Sequence, residues 1–560
     1  MNNIVSRTTF RERLVVTVKT ILGLALTRNP VSTATKMFRL WKRSGFKGLW
    51  HYIHRMGYAI LGYNHWIKCF DTLSESDRIA IRHQISTFQH KPCISIIMPT
   101  YNSSERWLRR AIESVRTQLY PYWELCIADD ASTIPNVRII LNEYQKLDER
   151  IKVVFRENNG HICAASNSAL ALASGEFVAL LDHDDELPPH ALYMVAHALN
   201  ENQNLNLIYS DEDKVNENNF RHDPYFKSGW NPDLLTSQNF ICHLGVYRTA
   251  LVREIDGFRE NYEGAQDWDL ALRITERIPY NSIRHLPYIL YHWRAAAGST
   301  ALDIGEKPYA LQAAEKALRD HLTRTGRVGK ISLATQVHFR TRYSLPSPAP
   351  LVTIVIPTRN QLTLLRRCIE SLREKTRYPH YEILIVDNQS DNIDMLAYLD
   401  RIATDGIARV VRYNLPFNYS ALNNFAVKAA SGSYLCLMNN DIEIISEDWL
   451  NEMVAQAARP EIGAVGAKLY YPDNTIQHAG VILGIGGIAG HLYSRIGRNS
   501  NGYMSRLLLV QNLSAVTAAC LVVRKELYNK VGGLDEKNLP IAFNDVDFCL
   551  RLAECGYQNL

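Results

Sequence analysis

The sequence predicts an α/β protein made of two copies of one mainly parallel sheet domain, preceded by a basic helical extension. Three observations predict it: an internal repeat, a regular alternation of strand-like and helix-like segments, and a lopsided distribution of charge. "ISIIMPTYN" (94–102) returns as "TIVIPTRN" (353–360), and "LRRAIESV" (108–115) as "LRRCIESL" (365–372). "ELCIADDAS" (124–132) returns as "EILIVDNQS" (382–390), and "ASGEFVALLDHDD" (173–185) as "ASGSYLCLMNND" (430–441). The offset holds at 257 or 258 residues through all four blocks, which marks a duplicated domain.

The extension comes first. Residues 1–68 carry twelve Lys and Arg against Glu12 alone, so a chain of net charge +5 has +11 there and −6 elsewhere. Cations interleaved with Trp41, Trp50, Tyr58 and Trp66 suit a segment lying on an anionic membrane surface. Its longest apolar stretch, "LVVTVKTILGLAL", is broken by Lys19 and falls short of the ~20 residues needed to span a bilayer. A structural cap competes with this reading; nucleic acid is not an expected partner. The ten cysteines are scattered with no CxxC pair, as in a reducing compartment such as the cytosol. The expected divisions are 1–90 for the extension, 91–302 for the first domain, 303–350 for a helix and a stiff "SLPSPAP" linker, and 351–560 for the second domain.

Each copy opens on a β-branched run ending in Pro-Thr, with Pro99 or Pro357 near its end. An amphipathic helix follows, with Leu108, Ala111, Ile112 and Val115 at i, i+3, i+4 and i+7 in the first copy. A second buried strand ends in Asp129 or Asp387, and a third strand and an alanine-rich helix come next. A fourth strand ends at "LLDHDDELPP" (180–189) in the first copy and "LMNNDIEIIS" (437–446) in the second. Strands alternating with helices make a mainly parallel sheet, and such sheets bind ligands beyond the carboxyl ends of their strands. Pro99, Asp129 and Asp182 all fall at such ends, which makes that rim the expected site.

Four carboxylates on one turn repel unless something neutralises them. Asp182 and Asp184, spaced as DxD, could hold a hard divalent cation, which would also offset charge on a departing diphosphate. The competing reading is a helix start, with acids ahead of Pro188 and Pro189. A second candidate is "GAQDWDLALRITERI" (264–278), with Asp267 in the first turn of a helix, repeated as "FNDVDFCLRLAECGY" (543–557) with Asp545. Each could be a general base on an acceptor hydroxyl, or only a helix N-terminal acid. Arg273 and Arg551 recur at the end of each frame.

The ordered set "MPTYN", "DDAS", "DHDD", "QDWDL" and "YHWR" resembles the family 2 glycosyltransferases of the Rossmann-like GT-A fold. Over about residues 60–560 it is similar to tandem-domain bacterial enzymes of O-antigen and capsule synthesis. The resemblance implies inverting transfer of a sugar from a nucleotide-diphosphate donor to a growing, lipid-linked polysaccharide at the cytosolic face of the inner membrane. It implies that Tyr101, Asp129 and Asp130 hold the base, Asp182 the ribose or diphosphate, Asp184 Mg²⁺ or Mn²⁺, and Asp267 the acceptor proton. His292 of "LYHWR" resembles a late histidine that joins the metal or diphosphate, with a buried, satisfied histidine as the competing reading. In the second copy Asp387, Asn388 and Asn439 take the nucleotide-sugar positions, Asp441 alone remains for the metal, and Asp545 is the base. This thinner set is similar to rhamnosyltransferase members.

The second copy runs fifteen residues past Asp545, whereas the first runs twenty-five from Asp267 to His292. A truncated chain, an impaired domain or a glycan-binding domain would each account for that. A non-catalytic glycan-binding or assembly protein retaining the fold is the alternative from another class. A nucleotidyltransferase is disfavoured, because "PTYNSSERW" lacks a glycine-rich basic loop after the first strand.

Overall fold

The computed structural model describes residues 62–295 and 308–560. Most of the basic extension lies outside the described residues, and so does the membrane contact expected of it. Two compact units emerge. The first runs to Trp230 and resumes from Asn239 to His321; the second comprises Asn231–Gln238 and Leu322–Leu560. Among the described residues no helix is long and apolar enough to cross a membrane, and all ten cysteines are free thiols.

The first unit contains strands β1 (Ile94–Thr100), β2 (Trp123–Asp129), β3 (Ile151–Phe155), β4 (Phe177–Leu180), β5 (Leu207–Asn216), β6 (Arg221–Tyr225), β7 (Gly245–Arg248) and β8 (Ile283–Ala295). They form one sheet in the order β3-β2-β1-β4-β7-β5-β6, with β8 pairing β5. β3, β2, β1 and β4 are mutually parallel; β7 runs antiparallel to both β4 and β5. The expected parallel sheet is therefore one half of the observed one, extended by a mixed half. Helix Glu105–Arg116 buries Leu108, Ala111, Ile112 and Val115, the stripe its sequence spacing predicts.

The second unit includes an antiparallel hairpin, β9 (Gly329–Leu333) and β10 (Phe339–Tyr343), between the expected helix and the "SLPSPAP" linker, where the sequence predicts no element. The preceding helix is Pro308–Arg324. Its main sheet uses β11 (Val352–Thr358), β12 (Tyr381–Asp387), β13 (Arg409–Arg412), β14 (Tyr434–Met438) and β15 (Ala464–Gly466). Two small hairpins follow, β16 (Leu469–Tyr470) with β17 (Ile476–His478), and β18 (Val481–Leu483) with β19 (Ala489–His491). β20 (Cys520–Arg524) completes the order β13-β12-β11-β14-β20-β15, again parallel through β14 and antiparallel beyond.

One brace recurs at the strand ends opposite the rim. Glu124, 6% exposed, accepts hydrogen bonds from Ser95 Oγ (2.6 Å), Lys152 Nζ (2.5 Å), Ser174 Oγ (2.8 Å) and the Ser174 backbone N–H. Burial opposes its charge, but these donors outweigh it and bring the carboxyl down to about 2. Gly175 follows because a Cβ there would stand 2.6 Å from the Cys93 carbonyl oxygen. In the second unit Glu382 accepts from Thr353 Oγ1 (2.6 Å), the Ser431 N–H (2.8 Å) and Arg409 Nη1 (3.0 Å). Gly432 is there required by the same close approach, 2.6 Å to the Thr353 nitrogen. The repeated Ala-Ser-Gly is thus a structural device that ties β1 to β4 and β2.

Candidate active site

The carboxyl ends of β1, β2 and β4 share one rim: Thr100 pairs Asp129, and Ile97 pairs Leu180 just ahead of Asp182. Pro99 pairs Ala128 one step back from the rim, as Pro357 pairs Val386 in the second unit. Tyr101, immediately beyond β1, is 46% exposed and so has a face open to a ligand. Asp129 and Asp130 are buried. Asp130 accepts from Arg156 Nε (2.7 Å) and from the Gly160 N–H (3.0 Å), which precedes helix His161–Leu172. A carboxylate bonded by a guanidinium and a helix start is held in one orientation.

The acid cluster after β4 divides into two jobs. Asp185 is fully buried; its oxygens accept from Tyr291 OH (2.6 Å) and the Arg294 N–H (2.6 Å). Burial, then the Asp184 and Asp182 charges, raise its pKa well above the ordinary carboxylate value. Glu186 takes a bidentate hydrogen bond from Arg110 (2.7 and 2.8 Å) and another from Arg294. Arg294 also donates to the Asp184 carbonyl (2.8 Å). Two of the four acids therefore strap the turn to β8. For Glu186 the neutralising charge comes from Arg110 and Arg294, where the sequence alone pointed to a bound cation, whereas Asp185 still feels Asp184 and Asp182. Asp182, its side chain 44% exposed, is the open carboxylate. Asp184 is pushed upward by burial and by Asp182, with His183 opposing.

His243, which the sequence reading passed over, joins this turn. Its Nε2 lies 4.0 Å from Asp182 Oδ2, its Nδ1 3.6 Å from Glu212 Oε2, and its ring stacks on Tyr291 at 4.4 Å. Glu212 is held in turn by Lys227 Nζ (3.1 Å). Burial opposes the charge of Glu212, but Lys227 and His243 outweigh it and lower its pKa to about 2. Burial likewise disfavours a charged His243, yet the Cys242 sulfur and Glu212 hold it well above its ordinary value. Among the described residues, Asp182, Asp185 and His243 form one group whose ligand atoms approach within 4.8 Å, and Glu212, Cys242 and His243 form another. His292 goes elsewhere: its Nδ1 sits 2.6 Å from the buried Asp213, which also accepts from Tyr63 OH and Arg221 Nε at 2.6 Å.

Asp267 stands in the first turn of helix Gln266–Thr275, where Asn239 Nδ2 donates to it at 2.7 Å. Burial raises its pKa, His243 opposes, and Asp182 adds to the rise. Asp182, His243 and Asp267 are thus electrostatic neighbours brought from three segments. The rest of that helix frame is structural. Asp269, fully buried, accepts from Arg273 Nε (2.8 Å), whose guanidinium caps the Ile255 and Gly257 carbonyls (2.7 and 2.5 Å). Asp547 and Arg551 repeat the arrangement on the Val531 and Gly533 carbonyls.

In the second unit the charge pair slides by one residue. Arg412 bonds Asp387, its cross-strand partner, instead of the next position. Asn388 donates to the Tyr413 and Leu415 carbonyls (3.2 and 2.9 Å). Asp387 Oδ1 and Asn388 Oδ1 are buried without a hydrogen-bond partner. Asn439 accepts from Tyr419 OH (3.2 Å). Asp545 accepts from the Ala518 N–H (3.1 Å), and Asp441 is exposed. Both aspartates act electrostatically on Tyr419.

A parallel half-sheet thus ends in an acid turn, with the helix-borne Asp267 as its electrostatic neighbour. The family model described as "Glycosyl transferase family 2" matches residues 95–256 and 353–532, and the chain belongs to that family, in two tandem copies of its domain. Among curated relatives, "Uncharacterized protein y4gI" of Sinorhizobium fredii is 48% identical over 478 residues, covering 85% of this chain and 53% of the relative. "O-antigen biosynthesis protein RfbC" of Myxococcus xanthus is 37% identical over 481 residues, covering 86% of this chain and 37% of the relative. "Chondroitin synthase" of Escherichia coli is 29% identical over 204 residues, covering 36% of this chain and 29% of the relative. The chain spans about half or less of the length of these relatives.

Proposed function

We propose that the first unit transfers a sugar from a nucleoside diphosphate donor to a hydroxyl of a growing bacterial surface polysaccharide, with inversion at the anomeric carbon. The observation that carries this reading is the convergence of Asp182, His243 and Asp267 at the end of β4. Asp267 takes the acceptor proton as the acceptor oxygen bonds the anomeric carbon, and the departing electron pair goes to the diphosphate on the opposite face. Burial raises the basicity of Asp267, while Asn239 orients its carboxylate. Tyr101, Asp129 and Asp130 hold the nucleoside.

The open Asp182 carboxylate, with Asp184 on the same turn, fits a divalent ion such as Mg²⁺ or Mn²⁺. When bound, such an ion supplies Lewis-acid stabilisation of the diphosphate. The similarity to a protein named for O-antigen biosynthesis supports a polysaccharide acceptor, and a lipid-linked one fits a basic extension at the cytosolic membrane face. The second unit, with Asp387, Asn388, Asn439, Asp441 and Asp545 in the same places, is read as a second nucleotide-sugar site.

Release of nucleoside diphosphate from a panel of nucleotide sugars, with and without Mg²⁺ or Mn²⁺, tests this reading. Metal-dependent release is expected, and in a chain carrying Asp545→Asn to silence the second unit, Asp267→Asn should lower it at least 100-fold. No turnover and no nucleotide binding with any donor would leave the glycan-binding alternative in its place.

A further inference from the structure

The turn that carries His243 in the first unit precedes β7, and the corresponding turn before β20 in the second unit carries Ala519. The second rim nevertheless has imidazoles, brought by the hairpins between β15 and β20. His478, at the end of β17, is 1% exposed, and His491, at the end of β19, is exposed. Their Nδ1 atoms are 2.8 Å apart. The Thr517 backbone N–H donates to His478 Nε2 at 3.4 Å. The next residues join the acid positions of this unit: the Ala518 N–H bonds Asp545, and the Ala519 carbonyl accepts from the Asn439 N–H at 3.0 Å. The histidine pair therefore hangs on the short segment that links the NND turn to Asp545.

This network assigns the tautomers. Burial, and then the neighbouring His491, drive the pKa of His478 down to about 3, so its ring is neutral and carries one proton. Nε2 accepts from Thr517, so that proton is on Nδ1 and is donated to His491 Nδ1. With its Nδ1 accepting, His491 carries its own proton on Nε2 and presents that N–H outward. The pair delivers a fixed donor to the surface beside the site, and its lone pairs are used internally.

We propose that His491, oriented by His478, donates a hydrogen bond to the diphosphate of a nucleotide bound at the second unit's rim. The proposal rests on the reading of that unit as a nucleotide-sugar site. An anionic ligand is the natural match for an N–H that cannot be turned into an acceptor, and Asp441 alone gives this rim less means of holding a cation than the first. His491 would be a binding residue, and His478 a positioning residue.

The test uses the full chain carrying Tyr101→Ala and Asp184→Asn, so that the remaining nucleotide binding, measured with and without Mg²⁺, reports the second unit. Calorimetric titration with UDP, GDP and dTDP, and with the matching nucleosides, is made on this chain and on His491→Ala and His491→Gln versions of it. The expected result is diphosphate affinity about tenfold weaker with His491→Ala, nucleoside affinity unchanged, and part of the loss recovered by His491→Gln, whose amide can still donate. Thermal melting of each variant reports whether the exposed substitution leaves the fold intact. Equal diphosphate affinity in His491→Ala overturns the proposal, as does an equal loss for nucleosides. Absence of any nucleotide binding in the doubly substituted chain also overturns it; if unsubstituted chain still turns over donor, the first unit's function stands.

Discussion

At the scale of single residues, aspartates that look alike in the sequence divide by their partners. Asp267 and Asp269 are two positions apart on one helix, yet the first meets Asn239 at the rim and the second is sealed against Arg273 and Arg259. Breaking a buried pair leaves an uncompensated charge that costs about 3–5 kcal/mol. Asp269→Leu should therefore lower the denaturation midpoint severely, whereas Asp267→Asn should leave urea unfolding within about 1 kcal/mol of the parent while removing transfer. Glu124 gives a second prediction. Its folded pKa is depressed to about 2 from an ordinary 4.5, so its stabilisation is present above the unfolded value and disappears as pH falls toward 2. By linkage this amounts to about 3 kcal/mol, and Glu124→Gln should flatten the acid limb of a stability profile between those pH values.

At the scale of elements, the sequence made the strand ends legible because β-branched runs, Pro-Thr stops and amphipathic helices are local signals. Asp182 and Asp267 could be found that way, since each follows a readable element. His243 could not: it sits in "NFICHLGVYR", and its role comes from Glu212 and Tyr291, which arrive from distant strands. Asp185 and Glu186 were opaque for the same reason, because their partners Tyr291 and Arg294 lie more than a hundred residues on. Hairpin β9–β10 was missed although "GKISL" and "FRTRY" flank a short polar turn. The close packing at Gly175 predicts that Gly175→Ala forces β4 off β1. A loss of about 2 kcal/mol in urea unfolding is expected.

At the scale of the whole molecule, the repeat told of two domains and their common frame, but periodicity cannot show chain segments changing sides. Asn231–Gln238 precedes the end of the first unit in sequence and belongs to the second, where Asp233 is sealed by Arg459 at 2.9 Å. Arg459→Met should therefore destabilise the second unit by about 3 kcal/mol. Calorimetry of the full chain should then show one transition moving down in temperature while the other holds. Membrane contact belongs to this scale as well. Deleting residues 1–61 should reduce sedimentation with anionic vesicles at least tenfold at low salt, and undiminished binding would remove the extension from that role.

The paired Glu124 and Glu382 braces have a consequence for how such a molecule can diversify. Cohesion is anchored at the strand starts, and the proposed chemistry lies at their far tips. A change such as DHDD to NNDI alters what the tip can grip while the anchor, a whole strand-length away, goes on holding the sheet together. Two domains from one ancestor could in this way drift toward different sugars without either having to be refolded from scratch.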